Sequence, residues 1–314
     1  MLDILSITFP IFAIIALGNA TVRYGMFSKS EMRTLGKYVL NIALPALLLG
    51  AIGQRSLSEF LNISYVVAGI LGGLAAITIT YFFLTAQGVG PARKGVAAMG
   101  ASCPNSAFVG FPLMLMLFPD NAAIILALNF VVEHFVVIPA CLILLELSRK
   151  EEHHSLGKIL GNLFLSLLNR PMIMGLLGGL ALMIFDIDLP TGIDRLLDIL
   201  AASASALALF VIGGSLVGLP MRGNTILAAQ IIIAKLVLHP AMVFGAVVLI
   251  SFLGLPMLTP QMETALILTA AMPMFTIYTV LSQDYGHEGL ASIALLGATF
   301  GSFFTLSALL VFLG

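Results

Sequence analysis

The sequence predicts an all-α integral membrane protein with ten transmembrane helices, arranged as two inverted five-helix repeats in which broken helices 4 and 9 cross. Three observations support this fold class: the composition is strongly apolar, ten windows are long enough to cross a bilayer, and two of them are interrupted. Hydrophobic residues make up 60% of the 314 residues and charged residues only 9%, and the mean hydropathy is +1.11. A soluble core cannot hide this much apolar surface, so we expect a membrane protein.

Short polar or glycine- and proline-containing breaks separate the apolar windows. The windows cover residues 4–22, 35–52, 63–85, 95–118, 122–146, 171–187, 196–218, 224–252, 262–282 and 289–313. A polar segment at 148–154 follows the fifth window, and the leucine-rich stretch at 155–168 is a candidate interfacial helix. The chain is thus divided into a first repeat at 1–147, a cytoplasmic linker at 148–170 and a second repeat at 171–314.

Basic residues set the predicted orientation, because lysine and arginine resist translocation. Eleven of the fourteen fall in one set of alternate loops, Arg55 and Arg195 fall in the other, and Lys235 lies within a window. This asymmetry places the first set in the cytoplasm and both termini outside it, in a plasma membrane or bacterial inner membrane. No basic segment precedes the first window, so we expect a spanning helix and not a signal peptide.

Five windows in each half is an odd number, so a duplicated half is expected to lie upside down relative to its partner. Three pairs recur at one constant shift in the sequence: Pro10 and Pro171, Gly18 and Gly179, and Gly53 and Gly214. An inverted repeat is the simplest account of this pattern.

The fourth and ninth windows carry a proline and polar residues at mid-membrane depth, at Pro104 and Pro273. A broken helix frees backbone groups that hydrocarbon cannot satisfy, so such breaks persist where they line a watery or ligand-filled cavity. A matched pair of breaks points to a transporter's binding site. The alternative is an ordinary kink with packing significance only, which is what we expect of four other prolines: Pro45, Pro112, Pro139 and Pro240.

The two broken windows enter the membrane from opposite sides, so their breaks are expected to meet near the midplane. A half-helix then starts after each break, with its positive dipole end directed at the meeting point, which favours an anion. Asn105 and Ser106 follow the first break and Thr276 follows the second. We expect these side chains to donate hydrogen bonds to a carboxylate.

Further polar residues lie deep in other windows. Glu133 is near the bilayer centre, where an ionised carboxylate costs on the order of 3 kcal/mol, so it should face a cavity, a partner or a proton. Asn129, four residues earlier, shares its helical face and is predicted to line the substrate site. Lys235 either compensates charge during transport, forms an ion pair with Glu133, or extends towards the cytoplasm. His239 lies one turn beyond Lys235 and is a candidate for proton coupling.

Several functional classes find no support in the sequence. There is no nucleophile elbow, zinc-binding spacing or phosphate loop, so we do not expect an enzyme. The net charge is −1 and no basic cluster is present, which argues against nucleic acid as a partner. Cys103 and Cys141 both lie in apolar stretches and predict neither a disulfide framework nor a metal site. No cofactor is expected, and a coupling ion, H⁺ or Na⁺, is left open.

The run from Cys103 to Leu113 resembles the fourth-helix signature of the auxin efflux carrier family, which includes plant carriers and bacterial malonate or malate permeases. Ala271-Met272-Pro273 with Tyr285-Gly286 is similar to its ninth-helix signature, and Lys235 to Pro240 is similar to a stretch of its eighth helix. The resemblance implies a scaffold of helices 1, 2, 6 and 7 and a transport domain of helices 3–5 and 8–10. It also implies a crossover at the two central prolines, a homodimer formed through the scaffold, and elevator-type alternating access.

These observations predict a secondary transporter of a small organic anion, such as a dicarboxylate or an auxin-like acid. The substrate-binding residues would be Pro104, Asn105, Ser106, Asn129, Pro273 and Thr276, with Glu133, Lys235 and His239 for coupling or charge compensation. Two other classes stay open. An anion-selective channel would use similar dipoles along a continuous pore, and a membrane receptor or sensor would bind its ligand without moving it.

Overall fold

The computed structural model describes residues 2–56, 62–149, 161 and 169–313, with side chains from Ser6 onward. Within these residues the regular secondary structure is entirely helical, apart from one isolated β-bridge. Apart from residue 161, the candidate interfacial helix at 155–168 lies outside the described residues.

The described helices are, in chain order, α1 (Leu2–Arg23), α2 (Lys29–Gly53), α3 (Ile63–Ala86), α4 (Pro91–Ser102), α5 (Ser106–Leu117), α6 (Pro119–Glu146), α7 (Pro171–Ile184), α8 (Thr191–Ser215), α9 (Thr225–Phe252), α10 (Pro260–Ala270), α11 (Tyr278–Gln283) and α12 (Glu288–Leu313). Seven of them, α1, α2, α3, α6, α8, α9 and α12, are apolar and long enough to cross a membrane. The helices α5 and α7 are apolar but shorter. This architecture agrees with the predicted all-α integral membrane class.

The helix α2 begins six residues before the apolar window that predicted it. Ser28 accepts a hydrogen bond from the Glu31 amide, and the Glu31 carboxylate accepts one from the Ser28 amide at 2.7 Å. This reciprocal capping box satisfies two amides that would otherwise be unpaired at the helix start. A hydropathy window does not register such a polar first turn, which explains the late prediction.

Four helices contain a π turn that ends two residues before a proline. The turns are Val39–Ala43 in α2, Ser106–Gly110 in α5, Glu133–Val137 in α6 and Ala234–Leu238 in α9, and the prolines are Pro45, Pro112, Pro139 and Pro240. Proline lacks an N–H, and its ring clashes with the carbonyl four residues earlier, which lies inside the turn in each case. The turn therefore widens, so these prolines do more than the packing role that the sequence predicted.

Glycines bring pairs of helices into backbone contact. A β-carbon at Gly213 of α8 would lie 1.8 Å from the Ile15 carbonyl oxygen of α1, and the side-chain nitrogen of Asn19 donates to the Gly213 carbonyl at 3.0 Å. A β-carbon at Gly175 of α7 would likewise lie 2.5 Å from the Pro45 carbonyl oxygen of α2. Small residues at such contacts let helix backbones approach closely, which is the main source of helix association in lipid.

We expect Gly213→Ala to destabilise the protein, because the α1 and α8 backbones must separate to admit the new methyl group. Overpacking of this kind costs about 1–3 kcal/mol, so thermal unfolding in detergent should show a lower melting temperature. Gly245→Ala is the matched control, since no atom lies within 4 Å of its β-carbon position. Equal melting temperatures for the two variants would contradict the close α1–α8 contact.

Candidate functional site

The two interrupted segments lie directly against each other. Between α4 and α5, residues 103–105 leave the helical path, and between α10 and α11 the chain is non-helical around Pro273. An isolated antiparallel bridge pairs Pro104 with Met274. The Asn105 amide donates to the Pro273 carbonyl at 2.9 Å, and the Phe275 amide donates to the Cys103 carbonyl at 3.3 Å. Each break thus supplies hydrogen-bond partners that the other break lacks.

Asn105 also starts the half-helix that follows the first break. Its side-chain oxygen accepts from the Phe108 amide at 3.3 Å, and its carbonyl accepts from the amides of Val109 and Gly110. Within the part of the chain that the structure describes, the Asn105 side-chain nitrogen and the amides of Ser106 and Ala107 have no hydrogen-bond acceptor. These N–H groups are donors that remain available to a ligand.

Ser106 and Glu133 form a buried pair. The Ser106 hydroxyl donates to Glu133 Oε1 at 2.5 Å, and the two residues are only 2% and 6% exposed. Both residues belong to π turns, one at the start of α5 and one in α6. An ionised carboxylate only accepts hydrogen bonds, so the single proton of the Ser106 hydroxyl is committed to it in that state.

Asn129 lies beside the breaks but is engaged by neighbouring helices. Its side-chain oxygen accepts from the Tyr65 hydroxyl at 2.9 Å, and its side-chain nitrogen donates to the Thr269 hydroxyl at 3.2 Å. These two hydrogen bonds join α3, α6 and α10 through buried side chains. Asn129 and Glu133 lie on the same face of α6, but only Glu133 lines the main cavity. The Asn129 side chain is held in the hydrogen-bond network instead.

Lys235 is fully buried and bonds to the end of α10. Its ammonium group donates to the Ala270 carbonyl at 2.5 Å and lies 3.0 Å from His239 Nδ1. A positive charge at this place is favourable, because unpaired carbonyls give a helix C-terminus a partial negative charge. Lys235 therefore does not extend to the membrane edge, and among the described residues it makes no ion pair with Glu133 within 4.0 Å.

Two cavities adjoin the breaks. A small one of about 20 Å³ has polar lining from Ser102, Asn129, Glu133, His239 and Thr269. A main cavity of about 340 Å³ lies between the breaks and the helices α2 and α7. Its polar or break-forming lining residues are Asn41, Pro104, Asn105, Ser106, Glu133, His134, Arg170 and Thr276. Four of the predicted substrate-binding residues thus line the main cavity together with Glu133. The other predicted site residues do not line it: Pro273, Asn129, Lys235 and His239.

Sequence reasoning did not identify two lining residues, Asn41 and Arg170. Arg170 was counted only among the basic residues beside the windows, and Asn41 was not singled out. Arg170 is the residue immediately before α7. Nothing in the local sequence indicates that the start of this helix lies near a break about 65 residues away in the chain. The apolar window at 171–187 predicted that a helix begins there.

The described residues contain no group of three or more His, Cys, Asp or Glu side chains placed to hold a metal ion. The sulfur atoms of Cys103 and Cys141 lie 4.0 Å apart beside the Ser102 hydroxyl, all of them buried. The polar groups that line the main cavity are amides, hydroxyls, the Glu133 carboxylate, the His134 imidazole and the Arg170 guanidinium.

Comparison with known proteins gives a consistent result over nearly the whole chain. The family model described as "Membrane transport protein" matches residues 3–310. The chain is 27% identical over 319 residues to the "Putative malonate transporter" of Rhizobium meliloti (strain 1021), covering 99% of this chain and 96% of that protein. It is 25% identical over 245 residues to the "Lysosomal cholesterol signaling protein" of Mus musculus, covering 73% of this chain and 28% of the mouse protein. The fold, the paired breaks and the extent of the family match show that this chain belongs to the membrane transport protein family, that of the auxin efflux carriers.

Proposed function

We propose that this protein is a secondary transporter that binds a small organic carboxylate in the main cavity and moves it across the membrane by alternating access. One observation carries the proposal. The two breaks pair with each other and still leave N–H donors of Asn105, Ser106 and Ala107 without an acceptor among the described residues, beside a 340 Å³ cavity. Unpaired amides at the start of a helix favour an anion, and membrane-depth breaks of this kind form substrate sites.

The proposed architecture has ten membrane-crossing segments, with the paired helices α4–α5 and α10–α11 each counted as one. The glycine contacts support an inverted repeat, because α1 packs on α8 and α7 packs on α2, so the first segment of each half packs on the second segment of the other. In this arrangement the termini lie outside the cytoplasm. We further propose that the protein works as a homodimer.

The main cavity also suggests how alternating access works. One side of it comes from α5, α6 and the second break, and the other side from α2 and α7. An elevator-type mechanism would move the first group of helices, with its bound anion, past the second. The name of the R. meliloti relative refers to malonate, a small dicarboxylate that is a suitable probe for the main cavity.

The Ser106–Glu133 pair offers a way to couple a proton to the anion. When Glu133 is ionised, the Ser106 hydroxyl donates to it and the carboxylate repels a second anion. When Glu133 is protonated, its own O–H can donate to Ser106, and the Ser106 proton becomes free to point into the cavity. Protonation thus adds a donor and removes a negative charge in one step. The other ionisable groups near this pair are His134, Arg170, Lys235, His239, Cys103 and Tyr65.

The proposed function is tested in proteoliposomes loaded with unlabelled malonate. We expect saturable, counterflow-driven uptake of labelled malonate, and no unitary currents in planar bilayers. Unitary currents without saturation would identify an anion channel instead. Binding of malonate without any transfer would identify a receptor or sensor, a possibility raised by the name of the mouse relative.

Substitutions at Asn105 separate anion binding from helix capping. Asn105→Asp keeps an oxygen that caps the Phe108 amide, but it replaces the donating amide with a negative charge. We expect Asn105→Asp and Asn105→Ala to lower malonate affinity by roughly 10- to 100-fold, as expected for a lost hydrogen bond to a charged group. Asn121→Asp is the matched control, because the Asn121 side chain donates a hydrogen bond to Gln261 and does not line the main cavity. Normal affinity in Asn105→Asp would assign Asn105 to capping alone.

Glu133→Gln tests the coupling role. Glutamine cannot ionise, and its side-chain nitrogen can donate to Ser106 as a protonated Glu133 would. Uptake by Glu133→Gln, compared at a fixed concentration of the malonate dianion, should therefore depend little on pH, whereas wild-type uptake should fall as pH rises and Glu133 ionises. Malonate affinity at low pH should change less than about threefold. A pH profile identical to that of the wild type would remove Glu133 from coupling.

A further inference from the structure

The wall of the main cavity opposite the breaks also carries groups that bind anions. Arg170 immediately precedes α7, Pro171 and Met172 lie in the first turn of that helix, and all three line the cavity. Asn41 contributes from the π turn of α2. This wall is built from a different pair of helices than the wall formed by the breaks.

The Arg170 side chain is exposed, and within the described ranges it makes neither an ion pair nor a hydrogen bond. Its charge acts on the cavity-lining His134 at a distance. The amide of Met172 is likewise without an acceptor in the described residues, as expected for the first turn of a helix. Asn41 is exposed as well, and its amide group makes no hydrogen bond there. A guanidinium, a backbone amide and a side-chain amide thus line one cavity, and none of them has a hydrogen-bond acceptor among the described residues.

The chemistry of these donors matches a carboxylate. A guanidinium group presents parallel N–H donors that bind both oxygens of a carboxylate at once, and the positive end of a helix dipole adds to the attraction. The acidic side chain in the described lining, Glu133, lies with Ser106 and belongs to the break side, so the Arg170 side offers donors with no carboxylate beside them. A second carboxylate is therefore most favourably placed at the Arg170 end of the cavity.

We propose that Arg170 is a specificity-determining residue that binds the second carboxylate of a short dicarboxylate whose first carboxylate is held by Asn105 and Ser106 at the breaks. Asn41 supports it with an amide hydrogen bond. This inference rests on the proposed function, since it assigns the second half of the same substrate. Because the two walls come from different groups of helices, Arg170 contacts the substrate only while the walls face each other.

The experiment compares two ligands that differ in one charge, malonate and its monomethyl ester, by isothermal titration of the purified full-length protein. Wild type should bind malonate more tightly than the ester. Arg170→Gln should weaken malonate binding by roughly 10- to 100-fold and change ester binding by less than about twofold. Arg170→Lys, which keeps the charge but loses the paired donors, should fall between wild type and Arg170→Gln for malonate.

Arg33→Gln is the matched control, since it removes the same charge from an exposed position of α2 that does not line the cavity. It should leave both affinities unchanged. An equal loss for malonate and the ester in Arg170→Gln would overturn the assignment, and so would unchanged malonate binding. Equal wild-type affinity for the two ligands would refute the second carboxylate subsite while leaving the transport of carboxylates intact. Failure of the wild type to bind either ligand would refute the proposed function itself.

Discussion

The structure depends on one constraint: backbone polar groups inside a bilayer must find partners within the protein. Two helices that break near the same depth would each leave several N–H and C=O groups unsatisfied, at a cost of several kcal/mol per group. The bridge between Pro104 and Met274 satisfies some of these groups. The Asn105 amide donates to the Pro273 carbonyl, and the Phe275 amide donates to the Cys103 carbonyl. Neither break is stable in lipid alone, so the two interrupted segments fix each other's position.

Polar side chains around the breaks bond to backbone groups that the bridge leaves unpaired. Lys235 donates a hydrogen bond to the Ala270 carbonyl at the end of α10. The side-chain oxygen of Asn105 accepts a hydrogen bond from the Phe108 amide at the start of α5. Glu133 is joined to the first break through Ser106. A change in the charge of Glu133 therefore acts on a residue that belongs to the break itself. Under the proposed function, this contact is what would let proton binding and anion binding influence each other.

Local signals in the sequence were enough to predict the helical membrane class, the positions of both breaks and the burial of Glu133 and Lys235. Their partners were not predictable in the same way. A lysine in an apolar window indicates an unusual charge, but the Ala270 carbonyl that binds Lys235 is an ordinary backbone atom with no sequence signature. The role of Asn129 was predicted from its helical face alone, whereas the competing hydroxyls of Tyr65 and Thr269 come from other helices. Arg170 was missed because a basic residue at a helix start looks the same whether it faces water or a cavity.

The π turns connect these polar residues to a common cause. Asn41, Ser106, Glu133 and Lys235 all lie in π turns, and each turn ends two residues before a proline. A proline in an α-helix displaces the carbonyl four residues earlier, and the widened turn rotates the side chains before it relative to those after it. The four prolines thus allow a helix to keep its apolar face towards lipid while one polar side chain faces the protein interior, as for Ser106, Glu133 and Lys235, or the main cavity, as for the exposed Asn41. The same residues that looked like simple kinks in the sequence therefore account for how charged and polar groups reach the centre of an otherwise apolar protein.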